Sequence, residues 1–546
     1  MKSMKNIARI MIISLLFFIH INSNAQNWQW AKHFGGVSVD GANSMCTDPS
    51  GNIYLTGRFN TPKAFFGADT LITNGNSDVM IVKMDSNGNF IWAKRAGGYS
   101  TMDNESGNNI IYESSTNTII LTGVMNSTGE TMGTCNLGSG SVIFLSKLDL
   151  NGNCIWSITE PLNGGFPVCS ISTDNLGNIY MDGYYSLAGT FNGTFLQNGS
   201  FLAKFNTTNG GCEWVKNVTN IHVGLDNIIY NNNYLYIGGS ANNTLTIDTL
   251  NLDTAIVYCH KDDIYLSKWD TAGNVIWVKT MGGPNTDFGG WTGMDGDNNL
   301  YLAGCFKDTS YFGTTILVDG LHQDGFLAKY TNTGHLTWVR QITTTSFVYI
   351  DHVSTDNVGN TYVIGTFADT AHFGTYTVVA SSAQDMFVAR YDSSGVCLGV
   401  KTVANVTPWD ILTNSGGSFY VCGSFNSSAN FDGNNITTYG SYDGFIAKSE
   451  AIIGIKEKTL NSNNNSLVIY ANPNRGTCNI KVPPDLLHEQ NLVLNIYDSN
   501  GKLIQQQPVQ VDQEKVKINI EAEATGIYNV TLGNKNKVYS GKIVFE

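Results

Sequence analysis

A short apolar strand ending in glycine recurs along the chain, and this repetition restricts the fold more than any other property. The copies are GNIYLTG (51–57), NTIILTG (117–123), GNIYMDG (177–183), NYLYIGG (233–239), NNLYLAG (298–304), GNTYVIG (359–365) and GSFYVCG (417–423), with terminal glycines 56 to 66 residues apart. A regular period means one supersecondary unit copied in series, each copy needing its neighbours to bury its apolar face.

Three further landmarks keep the same period. A strand ending in Lys or Arg follows each glycine strand, as in DVMIVKMD (78–85) and DMFVARYD (385–392). An Asn-Gly or Gly turn then leads to a tryptophan: Trp92, Trp156, Trp214, Trp277 and Trp338, with Gly399 in the sixth slot. Phenylalanine pairs lie between the first two landmarks: Phe59/Phe65, Phe306/Phe312, Phe367/Phe373 and Phe425/Phe431. Period-2 alternation predicts four strands per repeat, in the first at 42–48, 52–58, 78–84 and 90–95. DPSGN and DSNGN read as hairpin turns, in which Gly and Asn supply positive φ. The tryptophans are expected to pack between neighbouring sheets, burying about 150–250 Å² each.

The seventh repeat lacks its tryptophan strand, and NWQWAKHFGG (27–36) at the opposite end of the chain carries one, with Trp30 in the slot of Trp92. The expected fold is all-β: a seven-bladed propeller of four-stranded blades, closed by the N-terminal strand, which removes two free sheet edges. The pattern D-x-x-G-N-x-Y-x-x-G, F-x(5)-F-G and D-x-F-x-A-K-x-D-x-x-G-x-x-x-W resembles the β-propeller repeats of secreted bacterial proteins (SBBP type). The resemblance covers about 420 residues and implies a fold and an extracellular life, but no single activity.

Residues 1–25 read as a signal peptide. Lys2, Lys5 and Arg9 precede the apolar run from Ile10 to Ile19, and Ser23 and Ala25 supply the small residues of a cleavage site. No later segment has the ~18 apolar residues of a membrane span. The repeats occupy 26–453, and 454–466 reads as a linker rich in Lys, Glu, Asn and Ser. Net charge is −13, which argues against nucleic acid, because phosphate binding needs clustered cations. Ten cysteines include no C-x-x-C pair, so a zinc or redox motif is not indicated. Cys154, Cys212 and Cys397 hold one repeat position and lie too far apart to bridge one another; buried thiols are the expected fate of most cysteines.

From Leu467 a new alternating pattern predicts a small Ig-like β-sandwich over 467–546. It resembles the C-terminal sorting domain of type IX secretion cargo. The matching positions are Asn472-Pro473 with Gly476, Asp498 with Gly501-Lys502, Gly526 with Tyr528, and Gly541-Lys542. The resemblance implies handling by the type IX machinery, passage across the outer membrane, and release or surface attachment.

The sequence contains no complete catalytic constellation. The least repetitive segments join the outer strand of one repeat to the inner strand of the next. They hold Asp40, Asp103, Glu105, Asp287, Asp351 and Asp410, with His222 and His352, and Trp291, Tyr349 and Trp409 beside the later acids. An acidic ring with aromatics suits stacking and hydrogen bonding to a sugar, or holding a cation such as Ca²⁺; no other cofactor is implied. The short Asp-x-x-Gly-Asn turns (Asp48, Asp174, Asp356) lack the distal ligands of a calcium loop. Three readings stand: a non-catalytic surface or secreted protein binding glycan or protein, an extracellular polysaccharide hydrolase or lyase with its site at the channel mouth, and a structural surface component.

Overall fold

The computed structural model describes residues 28–60, 62–99, 105–161, 170–185, 187–196, 199–219, 225–247, 255–414, 416–452, 467–470, 477–487, 489, 492–497, 503–509, 515–519, 526–534 and 538–545. The signal-peptide reading lies outside them. The chain divides into two compact bodies, Met1–Ile455 and Lys456–Glu546. Most of its described residues are in strands, and no described helix is long and apolar enough to cross a membrane.

Each sequence repeat forms antiparallel strands in the order inner, second, third, outer. In the first these are Asp40–Thr47, Ile53–Phe59, Asp78–Met84 and Phe90–Tyr99. The cationic end of the third strand always meets the tryptophan slot of the outer strand: Lys83 faces Trp92, Lys147 faces Trp156, Lys268 faces Trp277, and Arg390 faces Gly399. The last repeat obeys the same register with a strand from the other end of the chain. Trp28–Phe34 pairs with Asn434–Ser449, and Trp30 faces Lys448.

The turns between inner and second strands are closed by their leading acid. Asp48 Oδ1 accepts the N–H groups of Ser50 and Asn52 at 2.9 and 3.0 Å, and its Oδ2 accepts Asn52 Nδ2 and the Tyr54 hydroxyl. Asp174 and Asp356 accept the equivalent backbone bonds. These carboxylates are aimed at N–H donors, which is the turn reading of the motif.

Neighbouring repeats lock together by two recurring contacts. The tryptophan of one repeat lies against the turn glycine of the next. A Cβ on Gly88 would fall 3.0 Å from Trp30, on Gly152 2.8 Å from Trp92, on Gly210 2.9 Å from Trp156, and on Gly395 3.0 Å from Trp338. These glycines have φ between +72° and +82°, so a side chain is doubly excluded. The third-strand cation donates to the adjacent turn: Lys83 to Leu150 O, Lys147 to Thr207 O, Lys329 to Ser393 O, and Lys448 to Ser86 O. The Lys448 bond joins the seventh repeat to the first, so the series closes into a propeller-like ring. The ring tryptophans are half-buried rather than fully enclosed. The buried partner of Phe59 is Phe66, not Phe65, since Phe66 closes the hairpin as Phe312 does in the fifth repeat.

In the second body, two antiparallel sheets share one apolar core. One holds Val468–Tyr470, Thr477–Lys481 and Lys515–Asn519; the other holds Leu503–Val509, Leu492–Tyr497, Gly526–Gly533 and Val538–Phe545. Ile480, Leu494, Ile518, Val530 and Ile543 are fully buried between them.

Candidate functional site

Six of the inner strands carry a β-bulge at one repeat position. The extra residues are Asn43, Asn108, Asp226, Gly290, Asp351 and Trp409. A bulge leaves one residue unpaired and re-aims its neighbours. The residues immediately after it, with Ser170 at the matching position of the third repeat, reach to the next inner strand. Ser44 Oγ accepts Ile110 N, Asn109 Oδ1 accepts Ile171 N, and Ser170 Oγ accepts Ile228 N. Asn227 donates to Thr292 O and Trp291 Nε1 to Ile350 O. His352 Nδ1 stands 3.3 Å from Asp410 Oδ1, and Asp410 Oδ2 accepts Met45 N at 2.8 Å. The belt therefore returns to the strand on which it began.

Inside this belt lies a cavity of about 890 Å³. Its wall mixes amides and hydroxyls (Asn43, Asn109, Ser172, Thr292) with aromatic (Tyr112, Trp291, Trp409) and aliphatic side chains (Ile110, Ile228, Ile411). Arg58 and the His352–Asp410 pair bring the ionisable chemistry. Burial lowers the His352 pKa, and the Asp410 charge partly offsets it. Burial raises Asp410, with His352 and the Met45 N–H pulling it back. The Trp291 ring lies 5.1 Å from the His352 ring, and Trp409 covers Gly41, where a Cβ would meet its ring at 3.3 Å. Buried Cys46 also lines the cavity, its thiol held well above the usual range by burial and by Asp410.

Of the residues expected from sequence, Trp291, His352, Trp409 and Asp410 come together on this wall. The others stand apart from it. Asp40 is buried at the head of its strand, where it accepts Gly36 N and Asn60 N. Asp287 holds the equivalent place and accepts Lys307 N, and burial pushes its carboxyl up to about 7. Glu105 is buried in the same register of the second repeat. Tyr349 is exposed and packs on Phe288 and Phe347. Asp103, His222, Asn472, Pro473, Gly476, Asp498, Gly501 and Lys502 lie outside the described residues. In the second body, Gly526 pairs with Phe545, Tyr528 is buried in the core, and Gly541 and Lys542 sit on the last strand.

Asp351 is a bulged residue whose Oδ2 is buried without a donor, and burial pushes its carboxyl up to about 8. The folded state thus holds a proton that the unfolded chain, with an ordinary carboxyl, gives up near pH 4. This stabilisation is full at acid pH and is lost as pH rises toward 8. Asp351→Asn should therefore be more stable than the parent by about 1–2 kcal/mol at pH 8 and show little gain at pH 5, read from urea midpoints at the two pH values.

Sequence reasoning missed Ser44, Asn109, Ser170 and Asn227. The signal was present: every belt residue lies four positions before the residue that opens the next turn (Asp48, Glu113, Asp174, Asn231, Asp295, Asp356 and Asn414).

Residues 468–546 match the family described as secretion system C-terminal sorting domain. They are a type IX sorting domain, and the protein is accordingly a secreted or cell-surface, extracellular one handled by that machinery. An uncharacterized WD repeat-containing protein of Acanthamoeba polyphaga mimivirus is 24% identical over 236 residues, covering 37% of this chain; the match spans 17% of that relative's length. Among solved structures, the Dos1 propeller is 8% identical with a TM-score of 0.37, covering 78% of this chain and 94% of that one. The Neurospora crassa Pan2 WD40 domain is 8% identical with a TM-score of 0.39, covering 75% and 89%.

Proposed function

We propose that this chain is a non-catalytic extracellular binding protein whose central cavity takes a neutral glycan. Its architecture on this reading is a signal peptide (1–25), a seven-bladed SBBP-type propeller (26–453), a linker (454–466) and an Ig-like sorting sandwich (467–546). The closed belt and the Lys448-to-Ser86 bond support the blade count. The observation that carries the function is the composition of the cavity wall. Side-chain amides and hydroxyls offer paired donors and acceptors to sugar hydroxyls, and the two indoles offer flat apolar faces to a pyranose ring. A wall with so few charges does not select a polyanion.

The test is co-sedimentation of the mature chain with a panel of insoluble polysaccharides and peptidoglycan. The parent should be retained on one of them. Trp409→Ala should weaken that retention about tenfold, ~1.4 kcal/mol, while staying folded, with a stability loss no larger than that of a half-buried tryptophan elsewhere in the ring. Turnover of the retained polymer would transfer the assignment to the hydrolase or lyase reading. Failure of the parent to bind any polymer would transfer it to a protein partner or a structural role.

A further inference from the structure

Three departures from the repeat meet at one point of the central cavity. The residue after the glycine that ends the second strand is Val124, Tyr184, Ser240, Cys305, Thr366 or Ser424 in the later repeats, and Arg58 in the first. Opposite it in the sheet the first repeat has Gly41, where the second, fifth, sixth and seventh have Ser106, Phe288, Tyr349 and Thr407. The bulge residue is an indole, Trp409, only in the seventh repeat. The benzo edge of that indole rests on Gly41: a Cβ there would fall 3.3 Å from Cζ3 and 3.4 Å from Cη2. Directly opposed residues of an antiparallel pair project from one face of the sheet, so Arg58 emerges beside the indole, and both side chains line the cavity.

Arg58 holds nothing in the fold. Arg95 is paired with Asp78, Arg340 donates to Ser394 O and Gly395 O, and Arg390 donates to Ile452 O. Alone of the described arginines, Arg58 makes no hydrogen bond, ion pair or ring contact with the described residues. Its slot is buried where it holds Val124, Ser240, Cys305, Thr366 or Ser424, but Arg58 is half-buried at the cavity wall. A guanidinium carries five N–H donors in a planar fork, and none of these is claimed by the protein, so all are left to whatever enters the cavity.

We propose that Trp409 and Arg58 form one sugar subsite, in which a pyranose lies on the indole and the guanidinium fork takes two adjacent free hydroxyls of the same ring. This subsite rests on the glycan reading of the cavity and narrows it. Two parallel N–H groups match two acceptors on neighbouring atoms, and in a neutral sugar those acceptors are vicinal hydroxyl oxygens. In a 1,4-linked chain each unit keeps its 2- and 3-hydroxyls for the fork. In a 1,3-linked chain no two free hydroxyls are adjacent. The recognised polymer is therefore one whose units keep a vicinal diol, and Arg58 is the residue that selects it.

The mature full chain is sedimented with insoluble 1,4-linked glucan, xylan, mannan and polyuronate, with 1,3-linked glucan, and with each neutral polymer after periodate cleavage of vicinal diols and borohydride reduction. Retention on a neutral 1,4-linked polymer is expected, with its loss after periodate and no retention on the 1,3-linked chain. Arg58→Met should weaken retention about tenfold, and Arg58→Lys nearly as much, because an ammonium is a point donor without a fork. Neither variant should move the urea midpoint, since Arg58 has no partner in the fold to lose. The proposal is overturned, with the glycan reading intact, if Trp409→Ala loses retention while Arg58→Met keeps it, or if retention survives periodate. It is overturned as well if Arg58→Lys binds like the parent. Tighter retention on the polyuronate than on the neutral chains, lost in Arg58→Met, would make the partner of Arg58 a carboxylate and overturn the diol. If the parent is retained on none of these polymers, the glycan reading falls and the subsite falls with it.

Discussion

Replacing Trp28 by alanine should lower the stability of the N-terminal body by about 3–5 kcal/mol, the range for removing a large buried aromatic. Trp28 is 3% exposed and sits edge-on to Phe419 at 5.5 Å and Phe431 at 5.1 Å, with the Lys401 ammonium 5.7 Å from its ring. Its partners lie some four hundred residues away in the chain, so every contact it makes is a ring-closing contact. Trp30, two residues on, is half-buried against Tyr420 and the Gly88 turn, and Trp30→Ala should lose only about 1–2 kcal/mol. Urea unfolding followed by fluorescence separates the two. A loss below about 1 kcal/mol for Trp28→Ala would mean that the first strand does not hold the last sheet in solution. Opening that seam also bares two unpaired edges, so the variant should aggregate more readily than any other substitution of similar size.

Asp410→Ala should destabilise the same body by about 3 kcal/mol, because two neighbours lose their partner at once. Met45 N donates to Asp410 Oδ2 at 2.8 Å, and the half-buried His352 imidazole stands 3.3 Å from Oδ1. Deleting the carboxylate leaves a buried N–H without an acceptor and a half-buried imidazole without its counter-group. Asp410→Asn keeps an acceptor for Met45 N and should lose roughly 1 kcal/mol. In the alanine variant the His352 pKa, already lowered by burial, should fall further, which imidazole NMR resonances would report. If alanine and asparagine are equally mild, the belt is not closed through Asp410 and the last and first sheets are joined only by the outer contacts.

Much of the architecture was readable because the repeat averages out local ambiguity. The opposition of Lys83 to Trp92 recurs as Lys268 to Trp277 and as Lys448 to Trp30, so the missing outer strand could be assigned to the far end of the chain from its tryptophan alone. The turn acids were equally legible, since Asp48 and Asp356 make their bonds within six residues of themselves. The site was legible only in part. Trp291, His352, Trp409 and Asp410 were picked because they break the repeat, whereas Ser44 and Asn109 look like ordinary strand residues. The disulfide between Cys135 and Cys154 was not assigned either: in the sheet Cys154 faces Leu148, at the far end of the third strand from Cys135, so strand register does not place the two together, and only the irregular course of that strand between Asn136 and Gly140 lets their Cα atoms approach to 6.0 Å.

What the sequence alone determined is what depends on short range and repetition: strand alternation, glycine turns, the cation-to-tryptophan register and the need for a closing strand. Tertiary structure decided which side chains meet. Side chains alternate faces with a period of two, so one extra residue reverses the direction of all that follows. The bulge at Asn43, Asp351 and Trp409 inserts that residue, and it turns Ser44, His352 and Asp410 toward the next inner strand. The constant spacing to the next turn marks the position, but the insertion itself is stabilised by bonds to a neighbouring sheet, which no local pattern announces. The contact at the closing seam has the same origin. Asp443 and Asp40 stand about four hundred positions apart in the chain, and they become neighbours only because the ring closes.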